Sequence, residues 1–313
     1  MIGRVTERLM LLDTASLYFR AYFGVPESVK APDGTPVNAV RGLVDFITRL
    51  VEDRRPTRLV ACMDADWRPQ FRVDAIPSYK AHRVAEAAGP DEEEIPDTLA
   101  PQVPVIEQVL DALGIPRVGV PGFEADDVIA TLAERAGIAV DIVTGDRDLF
   151  QLVDDARAIR VLYTVKGVAA HEVIDEAAVL ARYGVPAPAY ADFATLRGDT
   201  SDGLPGVKGI GDKTAAQLIG EYGDLAGVRA AAADPAAKLT PARRARILEA
   251  GDYLDVAPGV VRVVREVPLP PAAEWDRPLP TEPADPVALD ALRRQWGLSG
   301  PVHRLLDVLA PRR

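Results

Sequence analysis

Cysteine and histidine are scarce in this sequence of 313 residues, and their scarcity argues against two kinds of site. A single cysteine, Cys62, rules out a disulfide bond within these residues. Three histidines and no CxxC pair argue against a zinc site, because structural and catalytic zinc is bound mostly by cysteine and histidine. We expect Cys62, which lies in the apolar stretch LVACM, to pack in the core.

Long apolar runs are also absent. No stretch of 18 apolar residues occurs, which argues against a membrane-spanning helix. The first ten residues, MIGRVTERLM, lack the apolar core and the small-residue cleavage site of a secretory signal. Apolar residues still make up 48% of the sequence, enough to bury a substantial core. We therefore expect a cytoplasmic protein without membrane contact, folded as one large domain or two small ones.

The net charge of −11 argues at first against a nucleic-acid partner. That inference fails if many of the carboxylates bind metal ions, because bound cations reverse the local field. The placement of the acidic residues along the chain therefore matters more than the sum of the charges.

The first half of the chain alternates short apolar stretches with stretches of helical periodicity. Strands are predicted at residues 8–12, 57–63, 138–143 and 159–163, and helices at residues 36–53, 98–113 and 124–135. This alternation predicts an α/β fold with a largely parallel central sheet flanked by helices. Three of the strands are followed closely by an aspartate, namely Asp13, Asp64 and Asp146. Because ligands bind at the carboxyl ends of parallel strands, these positions predict a shared acidic site.

The pattern divides the chain into three parts. Residues 1–176 form an α/β core, residues 177–260 read as all-helical, and residues 261–313 form a proline-rich extension whose last helix packs back on the body. Residues 67–101 interrupt the core with several basic residues, the acidic run at residues 91–94 and the prolines Pro90, Pro96 and Pro101. An insertion of this length is usually either functional or disordered.

The acidic residues of interest form five local groups, each at the end of an apolar stretch or at the start of a helix. They are Asp13; Asp64; Glu124, Asp126 and Asp127; Asp146 and Asp148; and Asp199 and Asp202. So many carboxylates in one place repel one another unless cations are bound, and oxygen ligands suit Mg²⁺ or Mn²⁺. Two such ions roughly 3.5–4 Å apart can promote phosphodiester hydrolysis. Any one of these acids, taken alone, is better explained as a helix cap or a turn residue.

A glycine-rich turn, GVKGIG at residues 206–211, leads into a predicted helix. Its glycines let a backbone approach a phosphate closely, and the following helix presents amide groups to it. We therefore list Gly206, Lys208, Gly209, Gly211 and Lys213 as candidate contacts to a DNA backbone. An ordinary turn between two helices explains the same residues equally well.

With these residues in view, the sequence resembles the bacterial 5′–3′ exonuclease and flap endonuclease family, which includes the N-terminal nuclease domain of DNA polymerase I. The resemblance covers residues 9–264. It rests on GFEADDVIATLA at 122–133, TGDRDLFQLV at 144–153 and GDTSDGLPGVKGIGDKTAAQLI at 198–219, in this order. It implies an α/β nuclease core with a helical arch over residues 67–101 and a helix-three-turn-helix module that binds DNA.

The resemblance also implies roles for individual residues. Asp13, Asp64, Glu124, Asp126 and Asp127 would bind a first metal ion, and Asp146, Asp148, Asp199 and Asp202 a second one. Lys80, Arg83 and Arg20 would act on the scissile phosphate as catalytic cations. Ser201 and the backbone carbonyls around Val207 and Ile210 would hold a potassium ion.

Three positions depart from the family pattern, and four further residues have more than one interpretation. Thr14 and Gly203 stand where glycine and asparagine are common, and an extra residue after Asp64 makes Asp66 a substitute ligand. Tyr79 could stack on a DNA base or pack in the interior. Arg68, Arg72 and Arg83 could simply be solvated surface charges.

The sequence thus predicts a structure-specific 5′ nuclease that hydrolyses DNA with two Mg²⁺ or Mn²⁺ ions during replication and repair. Its partners would be 5′ flaps, 5′ ends and nicked or gapped duplexes, with further replication or repair proteins possible, and the protein would be a monomer. Two alternatives stay open: a DNA-structure-binding protein without catalysis, and a ribonuclease built on a related acidic core.

Overall fold

A computed structural model describes residues 7–84 and 93–310 of the chain. Six strands form one sheet in the order β3-β2-β1-β4-β5-β6. Their bounds are β1 Arg8–Asp13, β2 Arg58–Cys62, β3 Arg117–Val118, β4 Ala139–Thr144, β5 Ile159–Tyr163 and β6 Glu172–Ile174. All neighbouring strands run parallel except β6, which is antiparallel to β5. The predicted α/β class with a largely parallel sheet is confirmed.

The central strand β1 is buried on both faces, which explains its nearly continuous apolar sequence. Leu9 and Leu11 belong to the core on one face of the sheet, whereas Met10 and Leu12 belong to the core on the other. The first core extends beneath the helix Ala125–Arg135 and into the helical module, and the second lies against the helices Asn38–Arg54, Val103–Leu113 and Ser299–Leu309.

Fourteen helices are described around the sheet. They are α1 Thr14–Gly24, α2 Asn38–Arg54, α3 Gln70–Ala75, α4 Val103–Leu113, α5 Ala125–Arg135, α6 Glu176–Tyr183, α7 Tyr190–Arg197, α8 Asp212–Tyr222, α9 Leu225–Ala233, α10 Pro241–Glu249, α11 Gly251–Val261, α12 Ala272–Trp275, α13 Pro286–Gln295 and α14 Ser299–Leu309. Short 3₁₀ turns lie at Ala81–Arg83, Ala100–Gln102, Asp148–Leu152, Val168–Ala170, Ala187–Ala189 and Thr200–Asp202.

The region expected to form an arch is only partly described, because residues 85–92 lie outside the described residues. On the N-terminal side of these residues, the structure shows the short helix α3 and the turn Ala81–Arg83. On their C-terminal side, the expected helix at 98–113 begins as a 3₁₀ turn and becomes α-helical at Val103. Val84 and Glu93 pair through an isolated bridge, so the two sides of the region meet at its base.

The last two helices pack on the outer side of the second core. Leu298, Val302 and Leu305 are buried there, and α14 lies against α2. Arg304 donates to Asp45 of α2 at 2.6 Å. Among the residues that the structure describes, no helix has the length and apolar character needed to cross a bilayer.

A carboxylate cleft as the candidate active site

A cavity of about 230 Å³ opens where the parallel strands β1, β2 and β4 end. Five of the predicted metal ligands line it, together with two of the predicted catalytic cations: Asp13, Asp64, Glu124, Asp126 and Asp146, with Lys80 and Arg83. A second, smaller cavity shares Lys80, Glu124, Asp126 and Asp146 with the first and adds Asp148 and Asp202. Seven of the nine predicted metal ligands therefore meet in two adjoining cavities.

Asp13 is held in place by the start of α1 and by the end of β4. It caps α1, because its carboxylate accepts a hydrogen bond from the backbone amide of Ser16 at 3.2 Å. The hydroxyl of Thr144 donates to the same carboxylate at 2.6 Å and accepts from the amide of Asp146 at 2.8 Å. Thr144 thus connects the acids that follow two neighbouring strands.

Asp64 and the acids of α5 meet at the beginning of that helix. The Asp64 carboxylate accepts from the amide of Ala125 at 2.8 Å, at the helix end where an anion is favoured. Glu124 precedes α5 and accepts hydrogen bonds from Arg72, Lys80 and the Tyr79 hydroxyl. The substitute ligand Asp66 accepts from the amide of Arg68 at 3.1 Å, and it lines neither cavity.

Asp127 does not reach either cavity. It is fully buried, and Arg72 donates to both of its oxygens, at 2.7 and 2.9 Å. Its oxygens also accept from the amides of Val264 and Glu124, at 2.7 and 3.3 Å. With both oxygens occupied in this way, Asp127 anchors Arg72 in the structure rather than facing the site as the sequence predicts.

Asp199 likewise lines neither cavity, and it is surrounded by cations. Arg147 and Arg197 donate to one of its oxygens at 3.0 and 3.2 Å, and the amide of Ser201 donates to the other at 2.9 Å. Asp202, three residues later, lines the second cavity and accepts from Arg83 at 2.9 Å. Of the pair expected from the sequence, the structure brings Asp202 to the cleft.

The carboxylates of the cleft are hard to ionise together. Burial and the neighbouring Asp64 raise the pKa of Asp13 to about 7. Burial and Asp146 raise the pKa values of Asp126 and Asp148 well above the usual range for aspartate. Although burial opposes it, Lys80 and Arg72 hold the pKa of Glu124 below its ordinary value. The cleft is therefore short of positive charge.

Divalent cations would supply the missing positive charge. Every candidate ligand offers oxygen, which Mg²⁺ and Mn²⁺ prefer. Within residues 7–84 and 93–310, no three side chains of His, Cys, Asp or Glu are grouped as a ready-made metal site. Bound ions would have to draw the carboxylates together. The ion pair between Lys80 and Glu124 is one contact that such a rearrangement would change.

The predicted catalytic cations occupy different positions around the cleft. Lys80 keeps only 15% of its side chain exposed and has a left-handed backbone with φ of 48°. Arg83 donates to Asp202 and to the carbonyl of Ser201, which connects the base of the expected arch to the turn Thr200–Asp202. Arg20 donates to the carbonyl of Val165 at 3.2 Å and lines neither cavity.

Within residues 67–84, the structure favours the packing interpretation of Tyr79 and contradicts the surface interpretation of Arg72. Tyr79 is only 4% exposed and its hydroxyl donates to Glu124 at 2.7 Å, so its ring packs in the interior and is not presented for base stacking. Arg72, which reads as a solvated charge, is 2% exposed and pairs with Glu124 and Asp127. A partner more than 50 residues away leaves no trace in local periodicity, and this explains why the sequence did not reveal Arg72.

The glycine-rich turn connects the turn Thr200–Asp202 to α8, near the cleft. Gly206 and Gly209 have φ values of 63° and 75°, a conformation that glycine adopts most easily. Lys208 and Lys213 are exposed, whereas the side chains of Val207 and Ile210 are buried. Gly211 caps α8, so the amides of the first turn of that helix face outward beside the two lysines.

Ser201, expected at a potassium site, donates its hydroxyl hydrogen bond to Asp199 at 2.5 Å. The carbonyl of Val207 accepts from the amide of Ile210 at 2.9 Å. The potassium site stays a prediction.

Comparison with known proteins assigns the chain to a family. The family model described as 5′-3′ exonuclease, N-terminal resolvase-like domain, matches residues 8–184, and the model for the 5′-3′ exonuclease C-terminal SAM fold matches residues 185–284. A 5′-3′ exonuclease of Streptomyces coelicolor is 68% identical over 302 residues, 96% of this chain and 99% of that protein. The chain belongs to the 5′-3′ exonuclease family. The resemblance stated from the sequence is confirmed, and the protein is an enzyme of this family.

The polymerase relationship is also confirmed. DNA polymerase I of Mycobacterium bovis is 45% identical over 226 residues, which are 71% of this exonuclease and 24% of the polymerase. The two family models meet between residues 184 and 185, and the boundary expected at residue 176 stays a prediction.

Solved structures of low sequence identity share the fold. The T5 5′-exonuclease with bound zinc ions has a TM-score of 0.64 at 18% identity, and the match covers 97% of this chain and 98% of that one. The catalytic core of Rad2 in complex with a DNA substrate has a TM-score of 0.60 at 17% identity, covering 97% and 92%. At these identities the likeness supports the α/β nuclease fold alone.

Proposed function

We propose that this exonuclease hydrolyses phosphodiester bonds of DNA at 5′ ends and 5′ flaps, with two Mg²⁺ or Mn²⁺ ions bound by the carboxylate cleft. One observation carries the proposal: seven carboxylates, from strand ends, the start of α5 and the turn Thr200–Asp202, line two adjoining cavities. The T5 relative with bound zinc ions supports a divalent-metal site at this fold, and the Rad2 complex supports DNA as the substrate.

The first cavity offers Asp13, Asp64, Glu124, Asp126 and Asp146 for one or both ions, and the second adds Asp148 and Asp202. Bound divalent cations would activate water and stabilise negative charge on the phosphate and the leaving oxygen. Asp13 and Glu124 are buried, and a buried carboxylate attracts a cation more strongly than a fully solvated one does.

Lys80 and Arg83 line the first cavity and present the positive charge that a phosphate requires there. Lys80 pairs with Glu124, so a cation that takes over Glu124 would release the ammonium group toward a substrate phosphate. Arg20, on α1, donates one guanidinium nitrogen to the carbonyl of Val165 and would contribute charge from the edge of the cleft.

The glycine-rich turn would bind the DNA backbone through exposed amides, Lys208 and Lys213, with no contact to base edges. Substrate choice would then depend on DNA structure, and affinity would fall steeply with salt. We further propose a potassium ion held by Ser201, Val207 and Ile210, a monomeric state, and a role in replication and repair in the cytoplasm, each supported by the family resemblance.

A cleavage assay on matched substrates tests the proposal. The protein is incubated with 5′-labelled flap, nicked and blunt duplexes in Mg²⁺, in Mn²⁺ and in EDTA, beside Asp146→Asn purified in the same way. We expect cleavage of flaps and 5′ ends by the native chain with either ion and none in EDTA. Intact flap binding without cleavage under both ions would overturn the proposal, and equal activity of Asp146→Asn would assign the cleavage to a contaminant. An RNA flap of the same sequence should be cut far more slowly.

A further inference from the structure

A short backbone segment at the end of α11 forms part of the wall of the second cavity. We call residues 260–264 the strap. Val260, Val261 and Val263 of the strap line this cavity together with acids at the start of α5 and acids that follow β4. The strap is also the point at which the helical module returns to the α/β core, because α11 ends at Val261.

Gln151 connects the strap to the acids that follow β4. It lies in the turn Asp148–Leu152 and is 5% exposed. Its amide group donates to the carbonyls of Asp148 and Val261, at 2.8 and 3.1 Å. Its carbonyl oxygen accepts from the amide of Val263 at 3.2 Å. Two carbonyls facing the donors and one amide facing the acceptor fix the orientation of this side chain.

A chain of hydrogen bonds leads from this amide to the first strand. The amide of Asp148 donates to the Asp146 carboxylate at 2.8 Å, and the amide of Asp146 donates to the hydroxyl of Thr144 at 2.8 Å. Thr144 in turn donates to Asp13 at 2.6 Å. Gln151 therefore lies at the far end of a connected series that contains Asp13, Asp146 and Asp148.

The strap also forms hydrogen bonds with residues beside the acids at the start of α5. The carbonyl of Val260 accepts from Nε of Arg72 at 3.2 Å, and the amide of Val264 donates to Asp127 at 2.7 Å. Arg72 in turn pairs with Glu124. The same five residues of backbone thus contact Arg72 on one side and Gln151 on the other.

We propose that Gln151 is a positioning residue for the divalent cations: by joining the Asp146–Asp148 turn to the strap, it sets the distance between the carboxylates that follow β4 and those at the start of α5. The inference rests on the proposed function, since it assumes that cations bind in the cleft. Groups that orient metal ligands without touching the metal commonly change affinity by about 10- to 100-fold when they are replaced. A buried glutamine that only satisfies backbone groups would change folding stability and leave cation affinity alone.

Two replacements separate these roles. Gln151→Glu keeps the shape and places a carboxylate oxygen against two carbonyl oxygens, whereas Gln151→Met keeps the length and removes every hydrogen bond. Gln102→Met is the matched control. Gln102 is a glutamine of similar burial that bonds to the start of α2 and to the carbonyl of Thr98, on the side of the second core and away from the cleft. Each protein is first melted, and all measurements use a temperature at which every variant is folded.

Mn²⁺ binding is measured by titration calorimetry on the full chain without DNA. Flap binding in EDTA and the Mn²⁺ concentration for half-maximal single-turnover cleavage are measured in parallel. We expect both Gln151 variants to bind Mn²⁺ at least about tenfold more weakly, to bind the flap in EDTA as the native chain does, and to regain cleavage at high Mn²⁺. Gln102→Met should lower the melting temperature and leave Mn²⁺ affinity unchanged.

Native Mn²⁺ affinity in both Gln151 variants would overturn the inference, whatever their melting temperatures, and would leave the proposed function standing. A native chain that binds no Mn²⁺ at all would overturn the proposed function and the inference with it. An equal loss of affinity in Gln102→Met would show a general effect of core damage, and it would also overturn the assignment to Gln151.

Discussion

At the scale of single residues, Lys80 is the cation most closely associated with the carboxylates, because its ammonium group bonds to Glu124 inside the first cavity. Lys80→Met should lower the single-turnover rate on a 5′ flap by on the order of 10²- to 10³-fold, since it removes a positive charge that would stabilise the phosphate in the transition state. The exposed Lys166, which pairs with Glu172 away from the cleft, gives the control Lys166→Met. A Lys80→Met rate within threefold of the native rate would contradict this role.

Asp13 makes the stability of the cation-free protein depend on pH. Its pKa is raised from 3.8 to about 7 by burial and Asp64, so the folded state holds its proton more tightly than the unfolded state does. Stability should therefore fall as pH rises from about 4 to about 7 and remain low above that, and Asp13→Asn removes this loss. In EDTA, Asp13→Asn should be more stable than the native chain at pH 8 by about 2 kcal/mol.

Thermal melts of the two proteins in EDTA at pH 4 and pH 8 check the pH effect. The gain from Asp13→Asn should vanish or reverse at pH 4, because Asp13 is protonated in the folded state there. A variant that is less stable than the native chain at both pH values would show that the lost hydrogen bonds to Ser16 and Thr144 outweigh the relief of charge.

The sequence predicted the acids of the cleft better than their partners. Asp13, Asp64 and Asp146 were found because carboxyl ends of parallel strands share one edge, a rule that needs strand positions and no tertiary contact. Asp127 and Asp199 have the same local patterns, and only the structure shows that arginines occupy their oxygens. Long polar side chains such as Arg72 carry no periodic signal, so neither their burial nor their partners could be read from the sequence.

At the scale of elements, the glycine-rich turn is predicted to bind the DNA backbone through exposed lysines. The double variant Lys208→Ala, Lys213→Ala should weaken binding to all DNA sequences alike and reduce the slope of log K against log salt by roughly 2. Fluorescence anisotropy in Ca²⁺ at several salt concentrations measures both quantities, and Lys166→Ala provides the control. An unchanged slope would place the DNA contacts elsewhere.

Strands and helices were predicted correctly where the periodic stretch of sequence is long, and short elements were missed. Strand β5 has the predicted bounds, and β4 and α5 lie within one residue of theirs. Strand β3 has two residues and β6 has three, too few for any periodicity, so the antiparallel edge of the sheet was not foreseen. The helix expected at 98–113 begins late because Pro104 would lie inside a helix that started at 98, where its missing amide hydrogen would break a hydrogen bond. In α4, which starts at Val103, Pro104 lies in the first turn, where that hydrogen is not needed.

At the scale of the whole molecule, the C-terminal helices α13 and α14 stabilise the core without reaching the cleft. Leu305 is fully buried in the second core, with α14 against α2. Leu305→Ala should lower the free energy of unfolding by about 2–5 kcal/mol, because it leaves a cavity. Denaturant unfolding measures the loss. Calorimetry with Mn²⁺ at a temperature where the variant is folded should give the native affinity, and a large drop would show that the two regions are coupled.

Residues far apart in the sequence of this exonuclease converge on one cleft. Acids separated by more than 180 residues, from Asp13 to Asp202, line two adjoining cavities, and their mutual repulsion favours bound cations. Anomalous scattering from a crystal soaked in Mn²⁺ tests this claim most directly. We predict two manganese peaks in the cleft, roughly 3.5–4 Å apart, with carboxylates of Asp13, Asp126 or Asp146 among their ligands. A cleft that holds no manganese at saturating concentration would contradict the claim.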